Sequence, residues 1–182
     1  MRELTLLAMT RREEIVSAAQ ALLEQEGPPV TMRRLAERLG IQAPSLYKHF
    51  RAKGELEEAL AERALDELGR ELERAAGLEM HGRIYRAWAL AHPHLHRLVA
   101  ERAGGDAEAG AAGPILAALG DADRARAAWA FAHGMVELEL SGRFRSAGEV
   151  EAAWAAGIRA FRSASTLPVP PAPAVYRSFG VD

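Results

Sequence analysis

The chain has 182 residues, of which 49% are hydrophobic, with 23 basic and 25 acidic side chains. This composition is typical of a globular protein and excludes a disordered chain. The absence of cysteine excludes disulfides and thiolate metal sites. No apolar run approaches the roughly 20 residues of a membrane span, and the N-terminal apolar stretch is too short for a secretory signal. We therefore expect a cytoplasmic protein with no membrane contact.

The net charge of −2 is unevenly distributed along the chain. Residues 10–54 hold eight basic and five acidic side chains, a local charge of +3 that leaves −5 for the other residues. Salt screens charges beyond about 10 Å, so attraction to phosphates depends on such a local excess. A basic face on an otherwise acidic protein is therefore sufficient for contact with a nucleic acid.

The first predicted helix runs from about residue 10 to residue 26. Thr10 and Glu13 have the spacing of a capping box, in which two side chains satisfy amides of the first turn. Gly27 and the two prolines after it end the helix. Its apolar face is formed at helical spacing by Ile15, Ala19, Leu22 and Leu23.

Residues 31–50, TMRRLAERLGIQAPSLYKHF, predict two short helices joined by a turn. Thr31 is a good N-cap, Gly40 can adopt the left-handed conformation that ends a helix, and Pro44 suits the first turn of the next helix. The second helix is expected over residues 44–49. Two crossing helices would share a small core formed by Leu35, Leu39, Ile41 and Leu46. Together these signals indicate a helix-turn-helix, which places one helix in the major groove of DNA.

The remaining pattern predicts helices and no strands. A charged helix is expected at about 53–76, followed by helices at 80–91 and 93–103. Residues 104–113, GGDAEAGAAG, predict a flexible loop. A short helix at 114–119, a long one capped by Asp121 or Asp123 and ending near residue 141, and a last one at 149–163 complete the set. The fold class is therefore all-α, with about nine helices and a Pro-rich tail at 164–182.

The amino-acid sequence of the helix-turn-helix region, residues 10–56, resembles that of the TetR family of bacterial transcriptional regulators. The match is to a recurring L-Y-x-H-F-x-x-K string, here Leu46, Tyr47, His49, Phe50 and Lys53. Residues 85–99 and 127–144 resemble a C-terminal subclass of that family named for its Trp-His-Gly signature, here Trp129, His133 and Gly134. The resemblance implies an N-terminal three-helix DNA-binding domain at residues 10–53, called the headpiece below. It also implies a helical bundle for ligand binding and dimerisation at residues 54–163, called the body.

The resemblance and side-chain chemistry together predict the DNA contacts. Arg33 is the strongest candidate for base reading, because a guanidinium can bind guanine O6 and N7 at once. Ala43 and Ser45 are short enough to approach base edges, whereas Lys53 and the Thr31 cap suit phosphates. The alternative is that Tyr47 and His49 only pack between helices while the arginines are solvated. The predicted set is Thr31, Arg33, Gln42, Ala43, Ser45, Tyr47, Lys48, His49 and Lys53.

One headpiece contacts few base pairs, so specificity requires a two-fold dimer on a palindromic operator. The resemblance implies that the last two long helices form the dimer interface, for which we expect Phe131, Leu138, Trp154, Ile158 and Phe161. A small, largely apolar effector is expected in a mostly apolar pocket of the body. Each of the predicted lining residues could equally be ordinary core, and they are Trp88, His92, Leu95, His96, Leu116, Trp129, His133 and Met135.

A metal-binding or hydrolytic helical enzyme is the alternative function. His133 and Glu137 stand four residues apart, a spacing that can bind zinc, and His92 and His96 are nearby in sequence. Against this, Pro93 breaks the helix, and the chain has no HExxH, nucleophile elbow or glycine-rich phosphate loop. We therefore predict a ligand-responsive dimeric repressor with no catalytic residue, cofactor or metal. Activation instead of repression stays open, as do the effector and the operator.

Overall fold

The computed structural model describes residues 9–102 and 106–163, without the side chains of 106–109 and 163. These residues form nine helices and no strand, so the all-α prediction is confirmed for the described part of the chain. The predicted Pro-rich tail lies outside the described residues. The helices are α1 Arg11–Glu26, α2 Met32–Leu39, α3 Ala43–Leu46, α4 Lys53–Glu73, α5 Leu78–Ala91, α6 Pro93–Arg102, α7 Asp106–Leu119, α8 Ala122–Leu140 and α9 Ala147–Ser163.

Local side-chain signals set the helix starts. The Thr10 hydroxyl accepts a hydrogen bond from the Glu13 amide at 3.2 Å, and the Glu13 carboxylate accepts one from the Thr10 amide at 2.6 Å. This is the predicted capping box. The Thr31 hydroxyl caps α2 by accepting from the Arg34 amide at 3.3 Å. Asp121 caps α8 by accepting from the Arg124 amide at 2.8 Å, which decides between the two predicted caps.

The turn of the helix-turn-helix depends on Gly40, whose φ of 65° lies in the left-handed region. The next amide, that of Ile41, donates to the Ala36 carbonyl at 3.0 Å, the six-residue bond of a Schellman motif. Regular helix α3 ends at Leu46 rather than at the predicted residue 49. Residues 47–49 continue it as a turn, because the amides of both His49 and Phe50 bond the Leu46 carbonyl.

Two hydrophobic cores meet on α4. The headpiece core joins α1, α2 and α3 to the first two turns of α4, through Leu56 and Leu60. The body core begins one residue later on the same helix, at Ala61, and continues through Leu65, Leu68 and Leu72. Helix α4 is therefore a shared element, and a tilt of α4 moves both cores. The predicted division of the chain into 10–53 and 54–163 stays a prediction.

Helix α7 corrects one prediction. The glycine-rich residues 106–113, predicted as part of a loop, belong to a helix that continues through Pro114. The reason is close packing against α4. A Cβ added at Gly69 would lie 3.5 Å from the Ala111 Cα, and Ala111 is only 2% exposed. Small side chains at this contact thus allow two helix backbones to approach closely, and this packing outweighs the low helix propensity of the glycines in α7.

Helices α8 and α9 close the body. The Phe131 ring of α8 contacts the Trp154 and Phe161 rings of α9, with centroids 5.6 and 5.7 Å apart. A Cβ at Gly157 would lie 2.1 Å from Phe131 Cζ, so this crossing requires a glycine. A membrane-spanning helix was sought among the described residues, and none combines the necessary length and apolarity.

Candidate DNA-binding surface and effector site

The α2–α3 unit directs its polar side chains to solvent. The Arg33 side chain is 84% exposed, and its Nε lies 3.7 Å from a Glu37 carboxylate oxygen. Tyr47 is 51% exposed, while the neighbouring Leu46 is completely buried. Tyr47 therefore does not pack in the core between helices, and its ring is available to a ligand on the outer surface.

The other predicted DNA-contacting residues surround this surface. Gln42 and Lys48 are exposed, and Thr31, Ser45 and His49 are half-buried. Ala43 packs against the headpiece core, which limits the reach of its methyl group. Lys53, at the start of α4, forms an ion pair with Glu57 at 2.8 Å. Eight of the nine predicted residues thus belong to the α2–α3 unit and its flanking turns, with different exposure, and Lys53 belongs to α4.

Sequence reasoning missed Arg12, which supports this unit from α1. Its guanidinium donates to the His49 carbonyl at 2.8 Å and lies 4.1 Å from the centre of the Phe50 ring. It also donates to Glu55 at 3.2 Å, while the Arg51 amide donates to the same carboxylate at 2.8 Å. These hydrogen bonds, first that from Arg51 and then that from Arg12, lower the pKa of Glu55. Nothing in the sequence marks a contact between residues this far apart.

Polar contacts of Glu57 and Glu24 join the headpiece to the body. Glu57, near the start of the body on α4, pairs with Lys53 of the headpiece at 2.8 Å and with Arg102 on α6 at 2.8 Å. Glu24 on α1 lies 2.7 Å from His92 Nδ1, at the end of α5. The contacts of Glu57 link a predicted phosphate-binding lysine directly to a helix of the body.

A polar cluster lies inside the body around Tyr85. The Tyr85 hydroxyl lies 3.2 Å from His96 Nε2 and 2.9 Å from His133 Nδ1. The two imidazoles stack with centroids 4.4 Å apart, and Glu137 lies 3.1 Å from His96 Nδ1. Burial of His96, together with the nearby His133, lowers the pKa of His96 to about 4. His96 is therefore neutral at pH 7.

This cluster contains three of the four residues of the enzyme alternative. One ligand atom from each of His96, His133 and Glu137 lies within 4.8 Å of the others. His92 is directed elsewhere, towards Glu24. A metal binds in the plane of an imidazole ring, at about 2.0–2.1 Å for zinc, whereas these two rings are stacked face to face. As they stand, they form a hydrogen-bonded packing cluster around Tyr85.

The predicted effector-lining residues differ in exposure. Trp88, Leu95, Trp129 and Met135 are buried in the body core, whereas Leu116 on α7 is 42% exposed. That these residues line one effector pocket stays a prediction. A cleft of about 290 Å³ opens between α5 and α9 and is lined by other residues, among them Trp154 and Ile158, predicted for the dimer interface.

The predicted dimer residues are divided between the inside and the surface. Phe131, Trp154 and Phe161 contact one another within the chain, and Trp154 is only 5% exposed. Ile158 is half-buried against the body core. Leu138 is 46% exposed on α8 and is available to a second copy.

A helix-turn-helix with exposed polar residues, attached to an all-helical body through a shared helix, defines a DNA-binding regulator. The chain belongs to the TetR family of bacterial transcriptional regulators. Its residues 15–60 match the family described as bacterial regulatory proteins, tetR family, and residues 78–161 match the tetracyclin repressor-like C-terminal domain. This confirms the predicted family and gives the enzyme alternative no support.

Two of three relatives match this chain over most of its length, and the third matches it over 56 residues. An uncharacterized HTH-type transcriptional regulator of Mycobacterium tuberculosis is 34% identical over 159 residues, 74% of this chain and 72% of that protein. The class C tetracycline repressor of Escherichia coli is 50% identical over 56 residues, 30% of this chain and 26% of its own length. A TetR variant from Acinetobacter baumannii, solved in complex with minocycline, superposes with a TM-score of 0.64 and 28% identity over 84% of this chain and 94% of its own.

Proposed function

We propose that the protein is a dimeric, ligand-responsive transcriptional repressor that binds a palindromic operator in the bacterial cytoplasm. The observation that carries this proposal is the exposure of Arg33, Tyr47 and Lys48 in the helix-turn-helix segment. Arg33 would read a guanine, and Gln42 and Ser45 would approach base edges. We assign backbone contacts to the remaining predicted residues, which are Thr31, Ala43, Tyr47, Lys48, His49 and Lys53.

Exposed small residues on the last two helices support dimerisation. On α8 they recur at three- and four-residue spacing, which places them on one face of the helix. A similar row on α9 recurs every four residues. Such rows allow helices of two protomers to approach closely, and the Phe131–Trp154–Phe161 group supports them from inside. The exposed residues are Ala127, Ala130, Gly134 and Leu138 on α8, and Ala152, Ala156 and Ala160 on α9.

Helix α4 is the proposed lever between effector and DNA. It belongs to both cores, and Glu57 joins it to α6 through Arg102. An effector that binds one body conformation more tightly would shift the spacing of the two headpieces, by no more than its differential affinity. The minocycline complex of the Acinetobacter relative supports a small-molecule effector. We also propose, from Trp129, His133 and Gly134, that the body belongs to the Trp-His-Gly subclass.

Substitution of Arg33 tests the proposal. We would select bound sequences from random DNA and measure the affinity of Arg33→Ala for the selected operator and for random DNA. The loss of a bidentate base contact should weaken operator binding by about 1–3 kcal/mol and random-DNA binding much less. Arg126→Ala is the matched control, because Arg126 is an equally exposed arginine on α8 that pairs with Asp123 within its own helix. Equal losses on both DNAs would contradict base reading by Arg33.

A further inference from the structure

The cleft between α5 and α9 combines an apolar floor with an arginine-rich rim. Trp154 and Ile158 form most of the floor, and Gly82 leaves it open on the α5 side. With a volume of about 290 Å³, the cleft is at the small end of ligand-binding pockets. Its rim carries Arg83, Arg86, Arg159 and Arg162, together with Glu79 and Glu151.

Three carboxylates near the rim, Glu79, Glu139 and Glu151, pair with only two of the four arginines, which leaves the group a net charge of +1. Arg86 forms a two-point ion pair with Glu139, at 2.8 Å for each contact, and a third contact with Glu151 at 2.6 Å. Arg83 pairs with Glu79 within α5 at 3.0 Å.

Arg159 and Arg162 have no ion-pair partner among the residues that the structure describes, and both are exposed. They stand three residues apart on α9, so both guanidinium groups lie on the same side of the helix. The rim thus presents two arginines whose charge is available to an anion.

Beneath the floor lies a small apolar cavity with room for about one water molecule, about 20 Å³. It shares Gly82, Trp154 and Ile158 with the cleft, so the two spaces are neighbours across the same side chains. Its other walls are mostly apolar and include Leu78, Ile115, Phe131 and Phe161. An apolar group that enters from the cleft would be in contact with hydrocarbon on most sides.

Two buried polar side chains line this cavity without an intramolecular hydrogen bond. Both ring nitrogens of His81 are unpartnered, although His81 is only 4% exposed. Trp154 Nε1 is also unpartnered, at 5% exposure. An unsatisfied buried polar group costs about 1–3 kcal/mol, so such groups call for a partner from outside the chain. The cavity that they line has room for a partner of about the size of one water molecule.

We propose that this cleft is the effector site and that the effector is a small apolar molecule with one anionic head group, such as a medium-chain or aromatic carboxylate. The carboxylate binds Arg159 and Arg162, whose planar guanidinium groups suit it. The apolar part lies on Trp154 and Ile158. This inference rests on the proposed repressor function, since it names the chemical class of the effector.

The cleft also has a route to the headpiece. Its α5 wall ends at His92, which pairs with Glu24 of α1. A ligand that displaces α5 therefore acts on the headpiece through this hydrogen bond, in addition to the core shared on α4.

Ligand binding is tested first, without DNA. We would titrate the full chain with decanoate, with 3-phenylpropionate and with two matched probes, decanol and decylamine, using calorimetry and tryptophan fluorescence. At least one carboxylate should bind tenfold or more tightly than both matched probes, because only the anion can pair with the free arginines. Failure of both carboxylates, or equal binding of decylamine, would overturn the proposal.

Variants then place the ligand. The double variant Arg159→Ala with Arg162→Ala should lose tenfold or more in carboxylate affinity, while the control pair Arg126→Ala with Arg143→Ala, at exposed positions outside the rim, should lose less than twofold. Trp154→Phe keeps an aromatic floor and should weaken carboxylate binding and abolish most of the fluorescence change. Equal losses in the two double variants would show that only general charge matters and would overturn the assignment.

Operator release separates this inference from the proposed function. The carboxylate that binds should release the selected operator from the native protein but not from the Arg159/Arg162 double variant. If it binds in the cleft and leaves the operator bound, the effector assignment is wrong while the DNA-binding function stands. If no operator can be selected, the repressor proposal fails, and the cleft then has no effector role. The titrations would still decide which class of ligand the cleft binds.

Discussion

The headpiece and the body use their interiors differently. The headpiece core consists of apolar side chains, including the fully buried Leu46 and Phe50, and its candidate ligand surface lies entirely on the outside. Both polar residues that are buried in the described chain, His81 and His96, lie in the body. A well-packed apolar core holds a rigid external surface, as DNA reading needs. Buried polar groups and an adjacent cleft are features of a region that accepts a molecule inside.

The two regions are nevertheless coupled through α4, and also through Leu22, Leu23 and Val30 of the headpiece, which pack in the body core. Helix α4 contributes Leu56 and Leu60 to the headpiece core and Leu65, Leu68 and Leu72 to the body core. The difference between the regions can therefore be tested by substitutions that damage one core and leave the other intact. All three tryptophans, Trp88, Trp129 and Trp154, are in the body, so their fluorescence reports on that region alone.

The largest expected effect is that of Phe50→Ala. Phe50 is completely buried in the headpiece, so its truncation should cost about 3–5 kcal/mol in the free energy of unfolding. Operator binding should be lost while tryptophan emission under native conditions stays unchanged. Urea unfolding followed by circular dichroism and by fluorescence would measure the free energy of unfolding and the tryptophan emission. The control is Tyr47→Ala, an aromatic residue that is 51% exposed and should cost much less stability. A shifted tryptophan spectrum in Phe50→Ala would contradict the independence of the two cores.

Gly157→Ala tests the body in the same way. The added methyl group would lie 2.1 Å from Phe131 Cζ, and such overpacking should destabilise the body by about 1–3 kcal/mol. Gly110→Ala on α7 is the control, because no atom lies within 4 Å of its added Cβ, and the change should stabilise the helix slightly. Thermal unfolding would measure both variants. Adding Phe131→Leu to Gly157→Ala should restore part of the loss, and no recovery would argue against this contact.

The pH dependence of stability should come partly from His96. Its folded pKa of about 4 lies below the ordinary value of 6.5, so the unfolded chain binds a proton that the folded chain does not. Stability should therefore fall as the pH decreases from 7.5 to 5, by about 2 kcal/mol for this group. Urea unfolding across that range would measure the slope, which should be flatter in His96→Gln. An unchanged slope would exclude His96 as its source.

Measurements below pH 5 would mix two effects. Hydrogen bonds from neighbouring groups lower the pKa of Glu13, Glu55 and Glu149, so their contributions to stability are lost as the pH falls through the carboxylate range. Keeping the pH at 5 or above separates the histidine from these carboxylates.

The smallest expected effects come from two matched helix caps. Thr31→Ala in the headpiece and Asp121→Ala in the body each remove a side-chain acceptor from a first-turn amide, and each should cost about 1 kcal/mol in stability. Only Thr31→Ala should also weaken operator binding, since Thr31 lies on the α2–α3 unit. Chemical unfolding and operator titration of both variants would check this. An equal effect of Asp121→Ala on operator affinity would show that the regions are more tightly coupled than their separate cores suggest.

The sequence by itself determined the helix-turn-helix and the family. The signals that carry them are local: the capping box of Thr10 and Glu13, the Thr31 cap, the left-handed Gly40 and the apolar spacing around Leu46. Each acts within about five residues, so it can be recognised before any tertiary contact is known. The all-α class followed from the same periodicity, as did most helix bounds.

Only the tertiary structure decided where the body can bind a ligand. The cleft is formed by residues 79–86 of α5 and 151–162 of α9, which are about seventy positions apart in the chain. Its arginines resemble an ordinary solvated helix face, and its floor residue Trp154 resembles a dimer contact. The first half of α7, residues 106–113, was missed for a related reason, since the packing of Ala111 against Gly69 outweighs the low helix propensity of glycine. Several helix faces of the body have similar local sequence patterns, and only long-range packing decides which of them are buried and which line the cleft.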